Sequence, residues 1–266
     1  MSRVRGKVVA LTGASAGIGA ETAQRLARKG AVVVGAARDV ARLERVAADA
    51  PGMEPVRCDV SVAADRTALI EGVLERHGRI DALVNNAGLG WQGLTEDIPQ
   101  DRVDYLFAVN VTGLIDLCRL ALPSMLEAGR GDIVNISSMA GIVGFPPFSV
   151  YCATKHAVNG FTDGLRREVW LRGIKVHLVL PGPIQTEWLP VSQGFVPMPG
   201  AEETRFAGCP AWGVAAAIER CLIWPYPRTV AVPRFAGLGR VATVGGVRRA
   251  LDVACAASAR AYASRR

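Results

Sequence analysis

Short apolar, β-branched segments alternate with helical patterns along most of the chain, and this alternation restricts the possible folds more than any other feature. Strands that alternate with helices usually pair in parallel through right-handed crossovers, and the helices then cover both faces of the sheet. The pattern therefore predicts an α/β fold with a doubly wound parallel sheet of about seven strands. Strands are predicted at 7–11, 31–36, 53–58, 82–84, 131–136, 174–180 and 229–232, and helices at 18–29, 40–48, 62–77, 100–128, 149–172 and 211–222.

Two stretches depart from this rhythm. Residues 181–210 contain six prolines and several large apolar side chains, and they follow a predicted strand end, where ligands bind such sheets. A long irregular segment in a compact domain is usually functional or disordered. We therefore predict one catalytic domain at 1–232, which includes a substrate loop at 183–210, followed by a tail at 233–266.

The positive charge is concentrated in that tail. The net charge is +7, and the seven arginines and one aspartate after Pro233 account for six of these charges. The main body is nearly neutral, so nucleic-acid binding is not expected. Apolar residues near one helical face of the tail predict a basic amphipathic helix, which could lie on an anionic membrane or pack against its own subunit or a dimer mate. We favour the second alternative.

The cysteines and the N-terminal segment indicate a cytoplasmic protein. The six cysteines include no C-x-x-C pair and do not cluster with the three histidines, so neither a metal site nor a disulfide framework is expected. The apolar run Val8 to Leu11 is too short for an export signal. We found no window with the roughly eighteen apolar residues that a membrane span requires.

A glycine-rich turn, T-G-A-S-A-G-I-G, joins the first predicted strand to the first helix. Gly13, Gly17 and Gly19 would allow a tight turn, close approach of a phosphate, and close helix–strand packing. A P-loop is the alternative, but no Gly-Lys-Ser/Thr follows the turn. The turn therefore favours a Rossmann-type site for a dinucleotide.

Together with further motifs, this turn makes the chain resemble the classical short-chain dehydrogenase/reductases. The resemblance extends from about Val4 to Val232. Those motifs are Asp59-Val60, N-N-A-G at 85–88, Asn110, Ser138, Tyr151-x-x-x-Lys155 and Pro181-Gly182. The resemblance implies a nicotinamide cofactor bordered by Asp59 and Val60 at its adenine and held by 181–186 at its nicotinamide. The implied cofactor-binding residues are Gly13, Ser15, Gly17, Ile18, Gly19, Arg38, Asp59, Val60, Asn86, Ala87, Gly88, Tyr151, Lys155, Pro181, Gly182, Ile184 and Thr186.

The choice between the two nicotinamide cofactors depends on the end of the second strand. Ala37 stands where the family usually has an acid that binds the ribose 2′-hydroxyl, and Arg38 follows it. The planar guanidinium suits a 2′-phosphate, although Arg38 could equally be a solvated surface charge. Asp39 fits the N-cap of the next helix. We therefore predict NADP(H), with NAD(H) as the alternative.

Tyr151 and Lys155 lie one helical turn apart on the same face. A free tyrosine has a pKa near 10, and general acid–base catalysts work best near the ambient pH. A positive charge about 4 Å away contributes about 4 kcal/mol at an effective dielectric of 20, which corresponds to about three pKa units. Lys155 is therefore expected to lower the pKa of Tyr151. The alternative is that the two residues form an ordinary surface pair without a catalytic role.

The resemblance supplies roles for two further polar residues. Ser138 would donate a hydrogen bond to the substrate oxygen, with Ser137 as the alternative within the pair. Asn110 would bind a water that links Lys155 to solvent, although a buried Asn more often satisfies a neighbouring backbone group. Cys152 lies about 100° around the helix from Tyr151 and is expected to pack in the core.

The predicted substrate is a small apolar ketone, aldehyde or secondary alcohol. An apolar pocket wall is expected from Trp91, Phe145, Phe148, Trp188 and Leu189. The alternatives are a cofactor-sensing protein without turnover and a carrier-protein-dependent 3-oxoacyl reductase. Family members are commonly dimers or tetramers, so a homo-oligomer is expected, with the helices at 100–128 and 149–172 as contact surfaces.

Overall fold

The computed structural model describes residues 3–185 and 208–233. Seven parallel strands form one sheet in the order β3-β2-β1-β4-β5-β6-β9, which confirms the predicted fold class. A separate parallel pair, β7 with β8, joins the two ends of the predicted substrate loop. The strands are β1 (Val8–Thr12), β2 (Val32–Ala37), β3 (Met53–Arg57), β4 (Ala82–Asn85), β5 (Gly131–Ile136), β6 (Ile174–Pro181), β7 (Ile184–Gln185), β8 (Cys209–Pro210) and β9 (Thr229–Val232).

Helices cover both faces of the sheet, and each face has its own hydrophobic core. On one face α3, α5 and α6 bury residues such as Leu69, Leu117 and Val158 against the strands. On the other face α1, α2 and α7 bury Leu26, Leu43 and Ile218. The helices are α1 (Gly17–Arg28), α2 (Val40–Ala48), α3 (Ala63–His77), α4 (Gln100–Phe107), α5 (Gly113–Glu127), α6 (Ser149–Val169) and α7 (Ala211–Ile223).

The strand order reverses between β1 and β4, and this reversal determines where a ligand can bind. The chain builds the sheet outward from β1 through β2 to β3, and then returns to the other side of β1 with β4. In an open parallel sheet, the crevice at such a reversal lies outside the carboxyl ends of the strands. The segments that follow Thr12, Asn85 and Ile136 therefore meet at the same edge.

The helix predicted at 100–128 differs from the observed structure at its centre. A π-helical turn, Ala108–Thr112, separates α4 from α5 and contains Asn110. Such turns contain one additional residue and occur often at functional sites. The apolar pattern continues through this turn, so the sequence carried no signal for it. The helix predicted at 149–172 ends earlier, because Trp170–Arg172 is a 3-10 turn followed by Gly173 in the left-handed conformation.

By length and mean hydropathy, the stretch Gln100–Glu127 would be sufficient to cross a membrane. The prediction from apolar windows did not single out this stretch. In the fold, Leu114, Leu117 and Met125 from this stretch pack in the core beneath the sheet. This stretch therefore forms the core helices of an α/β domain, which can be as long and as apolar as a membrane-spanning helix. The tail at 234–266 and loop residues 186–207 lie outside the described residues, so the predicted domain boundaries stay predictions.

Candidate active site

The glycine turn between β1 and α1 has the geometry that the sequence predicts. Gly13 and Gly17 have positive φ values of 68° and 52°, which side chains disfavour. A Cβ on Gly19 would lie 1.9 Å from the carbonyl oxygen of Gly13, so only glycine allows this contact between helix and turn. Ala16 precedes α1 and makes no side-chain capping bond. The first-turn N–H groups of α1 therefore point towards the crevice as anion donors.

Asn86 fastens this turn to the end of β4. Its side-chain amide donates to the carbonyl oxygens of Thr12 and Gly13, both at 3.1 Å. The backbone N–H groups of Asn86 and Ala87 donate to the hydroxyl of Thr12, also at 3.1 Å. These bonds join the two sides of the strand reversal, which is how the N-N-A-G motif supports the nucleotide site.

Arg38 follows the end of β2 and is about half exposed. Its guanidinium donates a hydrogen bond to the hydroxyl of Tyr105 on α4, and lies 3.9 Å from the carboxylate of Asp59. Asp39 caps α2 by accepting a bond from the backbone N–H of Arg42 at 2.9 Å, as predicted. The sequence did not single out Tyr105, because nothing in its local pattern shows that α4 reaches the end of β2.

Tyr151 is buried near the first turn of α6, and its phenol is hydrogen-bonded to Ser138. Ser138 is held by its own hydroxyl, which accepts a bond from the backbone N–H of Ala140 at 3.1 Å. Phe148 packs edge-on against the Tyr151 ring at 6.5 Å between centroids, and Phe145 packs edge-on against Phe148 at 5.6 Å. The phenol therefore lies at the end of a row of aromatic rings.

Lys155 lies beneath Tyr151, with its ammonium 5.7 Å from the centre of the phenol ring. It donates a hydrogen bond to the carbonyl oxygen of Ile136 at 3.1 Å. Burial lowers the pKa of Lys155 to about 8, because water no longer solvates the charge. A Cβ on Gly88 would lie 3.4 Å from both this ammonium and the side-chain oxygen of Asn110, so these groups converge on Gly88.

The pKa of Tyr151 differs from the sequence-based expectation. Burial raises the pKa of the phenol above its ordinary value, and the hydrogen bond from Ser138 opposes this rise only in part. The expectation of a lowered pKa counted the charge of Lys155 but not the loss of hydration. In this structure the phenol is therefore protonated at neutral pH.

Asn110 is 1% exposed and holds the backbone of Leu89 at two points. Its side-chain oxygen accepts from the N–H of Leu89 at 2.8 Å, and its amide donates to the carbonyl of Leu89 at 2.8 Å. The amide also donates to the hydroxyl of Thr154 at 3.0 Å. This is the backbone-satisfying role that was one of the two alternatives for Asn110, and both amide hydrogens are engaged.

A buried polar chain that we had not predicted lies behind the site. Asn85 on β4 donates to Asn135 on β5 at 2.9 Å, and Asn135 donates to Thr162 on α6 at 3.0 Å. These three residues are at most 2% exposed. In the sequence, the polar Asn135 within the apolar run I-V-N-I was the signal that could have indicated these buried hydrogen bonds. The chain of bonds fixes α6, and with it Tyr151 and Lys155, against the centre of the sheet.

The remaining predicted residues fall at the same edge of the sheet or outside the described part. Gly182, which follows Pro181 at the end of β6, bonds to the carbonyl of Val232 at 2.8 Å. The segment of Trp91 is joined to the Phe145–Phe148 loop, because the N–H of Gly93 donates to the carbonyl of Pro147 at 2.9 Å. Cys152 is buried with Tyr151 and Ala140, which confirms its packing role. Outside the described residues are Thr186, Trp188 and Leu189.

These features fit a nicotinamide dinucleotide. The glycine turn packs so closely against Asn86 and α1 that side chains at Gly13 and Gly19 would collide with them, and the uncapped N-terminus of α1 favours a pyrophosphate. Arg38 lies at the carboxyl end of β2 beside Asp59, and the ammonium of Lys155 lies near the ring of Tyr151. The groups that can bind a cofactor and move a proton are therefore on adjoining strand ends.

Comparison with known proteins gives the same assignment. Residues 7–193 match the family described as short chain dehydrogenase. An uncharacterized oxidoreductase of Staphylococcus saprophyticus is 41% identical over 192 residues, which cover 70% of this chain and 78% of that protein. A farnesol dehydrogenase of Aedes aegypti is 40% identical over 205 residues, 72% of this chain and 83% of that protein.

Two solved structures show the same fold. A 3-ketoacyl-(acyl-carrier-protein) reductase from Brucella melitensis complexed with NADH has a TM-score of 0.77 at 30% identity, covering 86% of this chain and 97% of that one. A metagenomic short-chain oxidoreductase in complex with NADP has a TM-score of 0.73 at 32% identity, with the same coverage. The chain therefore belongs to the short-chain dehydrogenase/reductase family. It is an NAD(P)-dependent oxidoreductase that acts on CH–OH or C=O groups.

Proposed function

We propose that this enzyme reduces the carbonyl group of a small apolar substrate with NADPH, and that Tyr151 supplies the proton. The observation that carries the proposal is the buried phenol, bonded to Ser138 at the end of the aromatic row. The cofactor supplies the hydride, and the developing alkoxide then needs a proton. Tyr151 donates that proton while Ser138 holds the substrate oxygen.

The protonation state of Tyr151 supports the reductive direction. The ordinary pKa of tyrosine is near 10 and burial raises the pKa of Tyr151 further, so the phenol carries its proton at neutral pH, the form that a proton donor requires. Oxidation of an alcohol would need the phenolate instead. The ammonium of Lys155 stabilises the phenolate left behind after proton transfer, because an adjacent positive charge is worth more in a dry site.

Substitution of Tyr151 tests the proton donor. Positioned general acids contribute about 100-fold to 10,000-fold to turnover, so we expect Tyr151→Phe to lose kcat by that factor and keep NADPH binding. Ser138→Ala is expected to lose activity as well, whereas Ser137→Ala is the matched control, since its hydroxyl bonds to the carbonyl of Lys155. Turnover of Tyr151→Phe at the wild-type rate would exclude this mechanism.

The preference for NADPH rests on Arg38. Its guanidinium is at the end of β2, beside Ala37 rather than an acid, and Tyr105 orients it. Asp59 lies close enough to weaken its net charge. A charged hydrogen bond is worth about 1.5–3 kcal/mol, so Arg38→Ala should lower kcat/KM for NADPH by about tenfold to a hundredfold and leave NADH little changed.

Arg45→Ala is the control for that experiment, because Arg45 is an exposed arginine on α2 that bonds to the carbonyl of Ala41 on its own helix. Initial rates with both cofactors at saturating substrate measure the effect. An enzyme that prefers NADH, and keeps that preference in Arg38→Ala, would refute the cofactor assignment.

The substrate proposal rests on the aromatic row and on one relative. Phe145 and Phe148 lead from solvent to Tyr151 without a charged group in the row. The name of the Aedes aegypti relative specifies farnesol, an apolar alcohol. A panel of apolar ketones, aldehydes and secondary alcohols, followed by absorbance of the reduced nicotinamide, is the direct test. No turnover across the panel, together with tight NADPH binding, would instead support a cofactor sensor. Cytoplasmic location and homo-oligomerisation remain part of this proposal.

A further inference from the structure

A charged concavity lies at the edge of the sheet opposite the active site. It is a solvent-open depression of about 280 Å³ at the amino ends of β1, β4 and β5, called the cavity below. A water molecule takes about 30 Å³ in the liquid, so the space corresponds to roughly nine waters. Its lining consists of Arg5, Gly6, Lys7, Arg79, Asp81 and Arg130.

Two of the four basic side chains are fixed by bonds to the fold. Arg79 donates to the carboxylate of Asp81 at 3.0 Å and to the carbonyl of Gly6 at 2.9 Å. Lys7 lies 2.9 Å from the buried carboxylate of Asp132. Asp132 is shared, because Lys175 also lies 2.8 Å from it, so Lys7 is only partly neutralised. These contacts fix the side chains of Lys7 and Arg79 in the lining of the cavity.

The other two basic side chains have no acidic partner in residues 3–185 and 208–233. Both Arg5 and Arg130 are exposed, and no ion pair joins either of them to the described carboxylates. Gly6, between Arg5 and Lys7, has φ of 74°, and a Cβ built there would meet no atom within 4 Å. Gly6 therefore contributes backbone without a side chain to the lining, and the lining has an excess of cations over the acid Asp81.

We propose that this cavity binds a small free anion that carries one or two phosphate groups. Arginine side chains match the geometry of phosphate oxygens through paired N–H donors. Cations supplied by the segments before three strands suit a multiply charged ligand better than a single carboxylate. The volume exceeds that of a few water molecules, which leaves space for a diphosphate.

Calorimetric titration with pyrophosphate tests the proposal on the full chain. Saturating NADPH is present throughout, so that the glycine turn and Arg38 cannot bind the probe, and sodium chloride keeps the ionic strength constant. We expect saturable binding that weakens by about tenfold to a hundredfold in Arg130→Ala and in Arg5→Ala, since each removes a charge-assisted bond. Arg167→Ala, an exposed arginine on α6 away from the cavity, should bind like the wild type.

A gain of affinity provides a test that unfolding cannot imitate. Asp81→Asn keeps an oxygen that can accept from the N–H of Val8, a bond of 2.8 Å, and removes the negative charge beside Arg79. We expect this variant to bind pyrophosphate several-fold more tightly. The proposal would be overturned if the wild type does not bind pyrophosphate under these conditions. It would also be overturned if Arg130→Ala, Arg5→Ala and Asp81→Asn all bind pyrophosphate with the affinity of the wild type.

Discussion

Asn110 offers the sharpest test of how the π-helical turn supports the site. Its side chain makes three hydrogen bonds, at 2.8, 2.8 and 3.0 Å, to Leu89 and Thr154. Each net hydrogen bond is worth about 1 kcal/mol, and a buried group left without a partner costs about 1–3 kcal/mol more. Asn110→Ala should therefore lower the free energy of unfolding by about 4–6 kcal/mol.

The assay is urea unfolding followed by circular dichroism, with NADPH turnover measured on the same preparations. Thr154→Val is the graded comparison, because it removes one of these three bonds and also the bond from the Thr154 hydroxyl to the carbonyl of Tyr151 at 2.7 Å, and it should lower the stability by about 2–3 kcal/mol. Asn110→Asp keeps the acceptor for the N–H of Leu89 but loses both donors and turns a buried carboxylate towards the carbonyl of Leu89, so its stability should fall at least as far as that of Asn110→Ala.

Turnover separates the two alternatives for Asn110. If the residue acts by holding Leu89, loss of activity should follow loss of structure across the three variants. Loss of turnover in an Asn110→Ala protein that unfolds at the wild-type urea concentration would refute the backbone role and favour a bound water.

Three further outcomes follow from the site. Gly19→Ala should destabilise the fold and abolish NADPH binding, because its Cβ would lie 1.9 Å from the carbonyl oxygen of Gly13; normal binding by fluorescence titration would contradict this. Reductive kcat/KM should fall above about pH 8, because Lys155 loses its charge there and no longer stabilises the phenolate; a flat profile to more alkaline pH would argue against that role. Tyr105→Phe should weaken NADPH several-fold without changing NADH, because Arg38 loses its acceptor, and equal effects on both cofactors would refute it.

The repeating pattern made the fold predictable, and the parts that were missed depend on distant contacts. The seven sheet strands lie within about one residue of the predicted ones. Interior strands such as β1 and β2 are buried on both faces and read as continuous apolar runs, whereas β3 and β9 at the edges of the sheet are partly exposed. Tyr105 could not be predicted as a partner of Arg38, since their side chains meet only after α4 crosses the end of β2. The burial of Tyr151, and hence the direction of its pKa shift, is also a property of the packed chain.

The π-helical turn at Ala108–Thr112 lets one helical stretch both pack against the sheet and present Asn110 to Leu89. An extra residue accommodated in one wide turn leaves the preceding and following segments facing their original neighbours. Deletion of one residue there would give a continuous α-helix that still covers the strands. It would also move the amide of Asn110 away from Leu89. A shortened descendant of the chain would keep its strands and helices in place but lose the bonds that fix Leu89, so its stability and its turnover would fall together.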